Sequence, residues 1–387
     1  MKTKIKNKQE KGITLIALVV TIVVLLILAG VSISLVLNNN GVISKAKDAK
    51  NQYAEAQTNE EKQLNDVSDW IDTKVGDKTE GDSVTKIDGV PIPAGFVYVG
   101  GTKDSGLVIS DNSADKEKYK DQTTVGTDLE GNQFVWIPVD NIADYKRTAY
   151  FTQVASGTTD ATTKSERIKY SSSGIYYFTE ALPEDEKTSV EAKKGYYIGR
   201  YEAGDQESTN AHALRTSSSS TSNKITVKAG QAPYNYVKCS EAKSLAEGFS
   251  AKQGYTSVKS KLVSSYAWDT AIAFIQKTNS DYGSCSVEGN YNDLTFTYTN
   301  ITGASKTKAK NTSTLIPTGQ TTAVNNIYDM GGNVAERTTE SYSNADGPYA
   351  VRGGDYNSEF ANVPAGRRYG HSGNAYDIYG FRLTLFL

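Results

Sequence analysis

Residues 351–387 read VRGGDYNSEFANVPAGRRYGHSGNAYDIYGFRLTLFL. The stretch opens on an apolar run and a double glycine. It closes on a second apolar run, Gly380 to Leu387. Arg352 and Arg382 sit inside those runs, and a buried arginine needs partners. Both are therefore read as structural, together with Gly353, Gly354, Gly380 and Phe381. The glycines allow positive φ or a close backbone approach. Between these framework ends, residues 355–379 are an active site, a contact face or a plain loop.

The composition of that middle favours a contact face. Tyr356, Asn357, Ser358, Asn362, Tyr369, His371, Ser372, Asn374, Tyr376, Asp377 and Tyr379 are the candidate ligand contacts. Tyrosine offers apolar area and a hydroxyl at low entropy cost, and Ser, Gly and Asn offer adaptable hydrogen bonds. Four interspersed tyrosines weigh against a loop that is polar only because loops are.

Upstream, residues 327–338 read IYDMGGNVAERT. Asn333 and Glu336 place oxygen atoms a turn apart. They either bind Ca²⁺, the only cofactor in view, or cap the turn and pair with Arg337 or Arg352. Short β-type runs precede them: FVYVGG (96–101), GLVIS (106–110), FVWIPV (134–139) and GYYIGRYEA (195–203). A helix is expected over Ser264 to Thr278, with Trp268, Ile272 and Ile275 on one face, and a shorter one over Ser240 to Phe249. Ser/Thr-rich stretches at 155–165, 216–222 and 302–322 read as solvent loops.

The net charge of −2 and pI near 5.9 give no electrostatic case for nucleic acid. Two cysteines give little basis for a thiolate zinc site. One disulfide between Cys239 and Cys285 is open if the chain is exported.

The N-terminus is a basic leader, MKTKIKNKQEKG (1–12), before the uncharged run ITLIALVVTIVVLLILAGVSISLVL (13–37). At about 1.5 Å per residue that run exceeds the roughly 30 Å of a bilayer core. The lysines place the N-terminus inside the cell and the residues after 37 outside. Apolar positions then recur at helical spacing to residue 74, so one helix is expected over 13–74. Residues 75–89 read as a linker and 90–387 as the main domain.

KGITLIALVV resembles the processing motif of type IV prepilins. That resemblance implies cleavage after Gly12 by a prepilin peptidase, a methylated Ile13, and packing among other pilins. Ala17 stands where that family has Glu, which favours a minor pilin or a pilin-like membrane anchor. Residues 90–387 resemble the sulfatase-modifying-factor family of formylglycine-generating enzymes. The resemblance rests on PAGFVYVGG, FVWIPV, GYYIGRYEA, IYDMGGNVAERT, VRGGDY and YGFRLTL, in that order. It implies an α+β, C-type-lectin-like fold with two short helices.

Those enzymes use a cysteine pair after Arg-Gly-Gly, and residues 355–379 contain none. His212 and His371 are too few for a histidine-bound metal. The expectation is a protein that is not an enzyme. Variable proteins of diversity-generating retroelements, which also end in Gly-Phe-Arg and a strand, carry a similar Asn/Tyr/Ser/Asp mixture in this segment. The expected function is therefore a surface-displayed adhesin or minor pilin that binds an extracellular protein or glycan. A structural pilin subunit and an oxidase relative are the alternatives.

Overall fold

A computed structural model describes residues 15–37, 49, 50, 52, 85–149, 159–160, 167–171, 175–206, 224–283, 288–300, 302–359 and 363–387. The chain divides into two units, Met1–Thr79 and Glu80–Leu387.

In the first unit, α1 spans Leu15–Leu37 and side chains are described for residues 18–29, all exposed. Among the described residues no helix is long and apolar enough to cross a membrane. Gly12, Ile13 and the 53–74 part of the expected helix lie outside the described residues.

The second unit is mostly β with a few helices. It begins earlier than expected, inside the stretch read as a linker. There β1 (Thr85–Ile87) pairs with β2 (Val90–Ile92). Asp88 and Gly89 at the tip have φ of 54° and 72°. Two positive φ values in a two-residue loop match the right-handed twist of the strands, which is why Asp-Gly favours a hairpin.

The central sheet is built from β3 (Val97–Gly100), β4 (Val108–Ser110), β5 (Gln133–Pro138), β9 (Gly195–Gly199), β13 (Lys259–Leu262) and β20 (Leu383–Phe386), in the order β13-β20-β9-β5-β4-β3. It is buried on both faces. On β5, Val135 and Ile137 enter one core cluster while Phe134 and Trp136 enter the other. Helix α4 (Ser265–Ile275) covers the first cluster through Trp268, Ala271, Ile272 and Ile275. Its N-cap Ser264 accepts from the Ala267 amide at 3.2 Å. Helix α3 (Cys239–Gln253) covers the second through Ala242, Leu245, Ala246 and Phe249. A third helix, α2 (Glu184–Lys193), was not expected. Its sequence, EDEKTSVEAK, buries one apolar side chain, Val190, so it shows no apolar periodicity. An acidic first turn and a left-handed Lys194 mark its ends instead.

A second sheet carries the candidate site. It runs β18 (Arg368–His371), β17 (Tyr349–Arg352), β16 (Ala335–Tyr342), β8 (Ile175–Thr179), β7 (Arg167–Ser171), β6 (Thr159–Asp160), with β19 (Tyr379–Phe381) parallel to β16. Of the Ser/Thr stretches, 302–322 is more than a solvent loop. It contains β15 (Ser305–Lys308), paired with β14 (Phe296–Thr299), and the buried Ile316 and Thr318. The buried Lys308 ammonium donates to the Asn292 and Leu294 carbonyls at 3.2 and 2.8 Å. The stretches 155–165 and 216–222 lie outside the described residues, apart from β6.

The inner face of this sheet is held by buried charge. Arg382, next to β20, grips Glu336 of β16 with Nε at 3.0 Å and a terminal nitrogen at 2.6 Å. Arg352 of β17 and Arg368 of β18 both pair with Asp269 of α4. Glu340 of β16 pairs with Arg147 and with Arg368, the latter at 2.8 Å, and Arg352 lies 3.7 Å away. Burial would raise the Glu340 pKa, but Arg368, Arg147 and Arg352 more than offset it and hold the group at about 2. The folded value lies below the ordinary 4.5, so the stabilisation is complete above about pH 4.5 and is lost as pH falls toward 2.

Glu340→Gln should cost about 3–5 kcal/mol in urea unfolding at pH 7, because it leaves buried guanidinium groups uncompensated. The gap between wild type and variant should narrow below pH 4. A gap that stays constant from pH 7 to 3 would contradict the assignment.

Candidate functional site

Register assigns each side chain of the second sheet to a face. Glu336↔Arg352↔Arg368 face the core, while Arg337↔Val351↔Tyr369 and Tyr349↔His371 share the outer face. The exposure follows. Outside α1, the exposed large apolar or aromatic side chains among the described residues are Tyr349, Tyr369 and Tyr376, and all three lie here. Tyr369 carries the Arg367 guanidinium 4.9 Å from its ring centre.

Behind the outer tyrosines is a packed layer. The ring of His371 lies 5.3 Å from Tyr376 and 4.3 Å from Tyr379. Arg337 stacks 4.7 Å from the Tyr379 ring centre and is fully buried. It reaches His371 Nδ1 at 3.2 Å, and the Gly373 amide donates to the same nitrogen at 3.2 Å. Two donors on Nδ1 leave that atom unprotonated. Burial, then the Arg337 charge, push the His371 pKa down to about 4, so the ring is neutral at neutral pH.

The loop that carries these groups is tied down through its backbone. The carbonyls of Gly373, Tyr376 and Asp377 accept from the Cys239 amide (3.2 Å), the Tyr236 amide (3.0 Å) and Asn235 Nδ2 (2.8 Å). Arg337 donates to the Asn374 carbonyl. At the other end of the segment, the Tyr356 amide donates to the Asn333 carbonyl at 2.9 Å and the Ser358 carbonyl accepts from the Asn292 amide at 2.8 Å. None of these bonds uses a side chain of the candidate contacts. Ser372, Asn374 and Tyr376 are left exposed.

Beside the outer face is a cleft of about 270 Å³, lined by Val351, Asp355, Arg367, Tyr369, Ile378 and Tyr379 among others. Its wall requires glycine. A Cβ on Gly354 would lie 2.2 Å from the Val363 carbonyl oxygen, and Gly353 has φ of +74°. Asp355 is raised in pKa by burial, although the Asn357 amide and the Ser358 hydroxyl donate to it.

The expected contacts divide accordingly. Tyr369, Ser372, Asn374, Tyr376 and Asn357 are exposed, and Tyr356, Ser358, His371 and Asp377 are half-buried. Tyr356 donates to Asp377 at 2.8 Å. Asn362 lies outside the described residues. Tyr379 is 6% exposed and belongs to the packed layer rather than the surface. Tyr349, Asp355 and Arg367 were missed. Tyr349 sits in β17, before the segment read as the contact face, and only strand pairing brings it opposite His371.

Asn333 and Glu336, the residues expected either to bind Ca²⁺ or to pair within the turn, have protein partners. Glu336 is spent on Arg382, neither Arg337 nor Arg352. Asn333 is buried, with Oδ1 accepting from Asn290 Nδ2 at 2.9 Å and from the Ile316 amide at 3.2 Å. Arg352, Gly353, Gly354, Gly380, Phe381 and Arg382 are all buried. Cys239 is a buried free thiol whose pKa burial raises; Cys285 and His212 lie outside the described residues.

Residues 90–385 match the family described as the sulfatase-modifying factor enzyme 1-like domain. Solved structures that match include CarF, at 16% identity and a TM-score of 0.34, covering 50% of this chain and 87% of that one. PvdO from Pseudomonas aeruginosa matches at 16% identity and a TM-score of 0.32, covering 60% and 100%. Variable protein 1 of Treponema denticola matches at 12% identity and a TM-score of 0.34, covering 68% and 98%. No curated protein matches.

Tyr379→Ala should destabilise the domain by about 3 kcal/mol or more, the usual cost of emptying a large aromatic site. Tyr369→Ala and Tyr376→Ala should stay within about 0.5 kcal/mol of wild type. Chemical denaturation separates the two classes, and equal costs would refute the division into layer and face.

Proposed function

The chain belongs to the sulfatase-modifying factor enzyme 1-like family, and from that premise we propose that it is a membrane-anchored binding protein of the cell surface, not an oxidase. The binding role rests on one observation. Among the described residues of the domain, the large apolar or aromatic side chains left exposed are Tyr349, Tyr369 and Tyr376, gathered on one face of the second sheet. Tyrosines at such positions supply rigid contact area, and Ser372, Asn374 and Asn357 supply adaptable hydrogen bonds. The cleft with Asp355 and Arg367 beside them takes a protruding group of the ligand. The ligand is an extracellular protein or a glycan.

The catalytic alternative lacks a cysteine pair after Arg352-Gly353-Gly354. Residues 355–379 hold no cysteine, and the Cys239 thiol is buried with a raised pKa, which disfavours the reactive thiolate. The anchor is α1. Residues 18–29 are apolar except for Thr21 and wholly exposed, a surface that lipid or other apolar helices would cover at lower cost than water. The basic leader orients it with the domain outside. Cleavage after Gly12, methylation of Ile13 and association with other pilins belong to this reading. So does variation of the exposed side chains between copies, which the backbone anchorage of the loop tolerates.

A screen of the full-length protein against arrayed surface glycans and extracellular proteins should yield a ligand. Binding should weaken by at least a hundredfold in Tyr369→Ala/Tyr376→Ala, each being a hot-spot loss of about 2 kcal/mol or more, with the unfolding midpoint unchanged. Ligands that all bind the double variant as tightly as wild type would overturn the assignment of the face. N-terminal sequencing of the membrane fraction should find methylated Ile13 as the first residue. Deletion of 13–37 should release the protein into the soluble fraction, and a deletion variant that stays with membranes would remove α1 as the anchor.

A further inference from the structure

A second cleft, of about 310 Å³, shares no lining residue with the tyrosine face. It lies between the loops that flank β4 and β5 and the small sheet of β10 (Gly204–Asp205), β11 (Ile225–Thr226) and β12 (Ala232–Pro233). Asp111, Asn112, Glu130, Asn132, Thr226 and Lys228 form most of its wall, with Ser113, Gly131, Gln206 and Gln253. No apolar side chain is among the described residues of this wall.

The wall is built, not incidental. Asp111 accepts from the Asn132 amide at 2.6 Å, from Asn132 Nδ2 at 2.7 Å and from the Tyr255 hydroxyl at 2.6 Å. Asn132 in turn accepts from the Val227 amide at 2.8 Å. Behind it the buried Asp115 holds the Glu130 and Gly131 amides at 3.0 and 2.9 Å and the Ser110 hydroxyl at 2.6 Å. These bonds fix both rims before any ligand arrives.

What the protein does not satisfy is equally specific. Thr226 is 2% exposed, and its buried hydroxyl has no hydrogen-bond partner. A buried polar group is almost always paired, with protein, ligand or water. The Lys228 ammonium and the exposed side-chain amides of Gln206 and Gln253 have no protein partner among the described residues.

We propose that this cleft binds a neutral, hydroxyl-rich ligand, a single sugar unit of a glycan. An apolar ligand would find nothing to pack on, and its burial would strand the polar wall. A simple anion meets Asp111 and Glu130. A metal cation meets Lys228, and the Asp111 oxygens already accept three hydrogen bonds. Neutral hydroxyls both donate and accept, so they satisfy the side-chain amides, the carboxylates and the Lys228 ammonium together. The domain then has two recognition surfaces, one aromatic and one fully polar.

Saturation-transfer NMR on the full-length protein with glucose, galactose, mannose and N-acetylglucosamine tests this. At least one sugar should receive saturation, and its affinity should fall at least tenfold in Lys228→Ala/Gln253→Ala. No transfer to any of the four, or undiminished binding by the double variant, would overturn the proposal. So would a calcium-induced rise in the unfolding midpoint that Asp111→Asn abolishes, because the cleft would then be a cation site.

Discussion

The second sheet depends on arginines that have no water to turn to. Arg352, Arg368 and Arg147 converge on Asp269 and Glu340, and Arg382 is locked onto Glu336. Such pairs contribute little net stability once desolvation is counted, but losing one partner is costly. Their effect here is positional. They fasten β16, β17 and β18 to α4, and Arg382 fastens β16 beside β20, so one face of the sheet is committed to the interior.

Because that face is committed, the other is free. Strand periodicity places Arg337, Val351, Tyr349, Tyr369 and His371 on that second face, where Tyr349 and Tyr369 reach solvent. The loop after β18 is then held by its own carbonyls, by Arg337 and by the half-buried His371 and Asp377, while its exposed side chains, Ser372, Asn374 and Tyr376, make none of these bonds. A surface supported in this way can change its outward residues without losing its shape. The same logic explains why Tyr379 does not belong to the surface. It underlies His371 and Arg337, so replacing it would remove part of the support.

Much of this architecture was legible in the residues. The strands around FVYVGG, GLVIS, FVWIPV and GYYIGRYEA, and the helix capped by Ser264, follow local patterns of apolar spacing and capping. The arginines inside apolar runs announced buried partners. Other features had weak local signals. Helix α2 buries a single apolar side chain, so periodicity does not reveal it. The Asp88-Gly89 hairpin was hidden in a polar stretch. The strand Ser305–Lys308 lies in a Ser/Thr-rich segment whose composition suggests solvent.

By itself the sequence determined the apolar run from residue 13 to 37, the order of β runs, the framework motifs at 327–338, 351–354 and 380–382, and a Tyr/Asn/Ser segment between fixed ends. These are local properties, set by composition and spacing within a few residues. Only the tertiary structure decided the partners: Glu336 with Arg382, Asp269 shared by two arginines, Tyr379 buried, and Tyr349 brought opposite His371. Those outcomes depend on strand register and on contacts between residues far apart in the chain, and no local pattern encodes them.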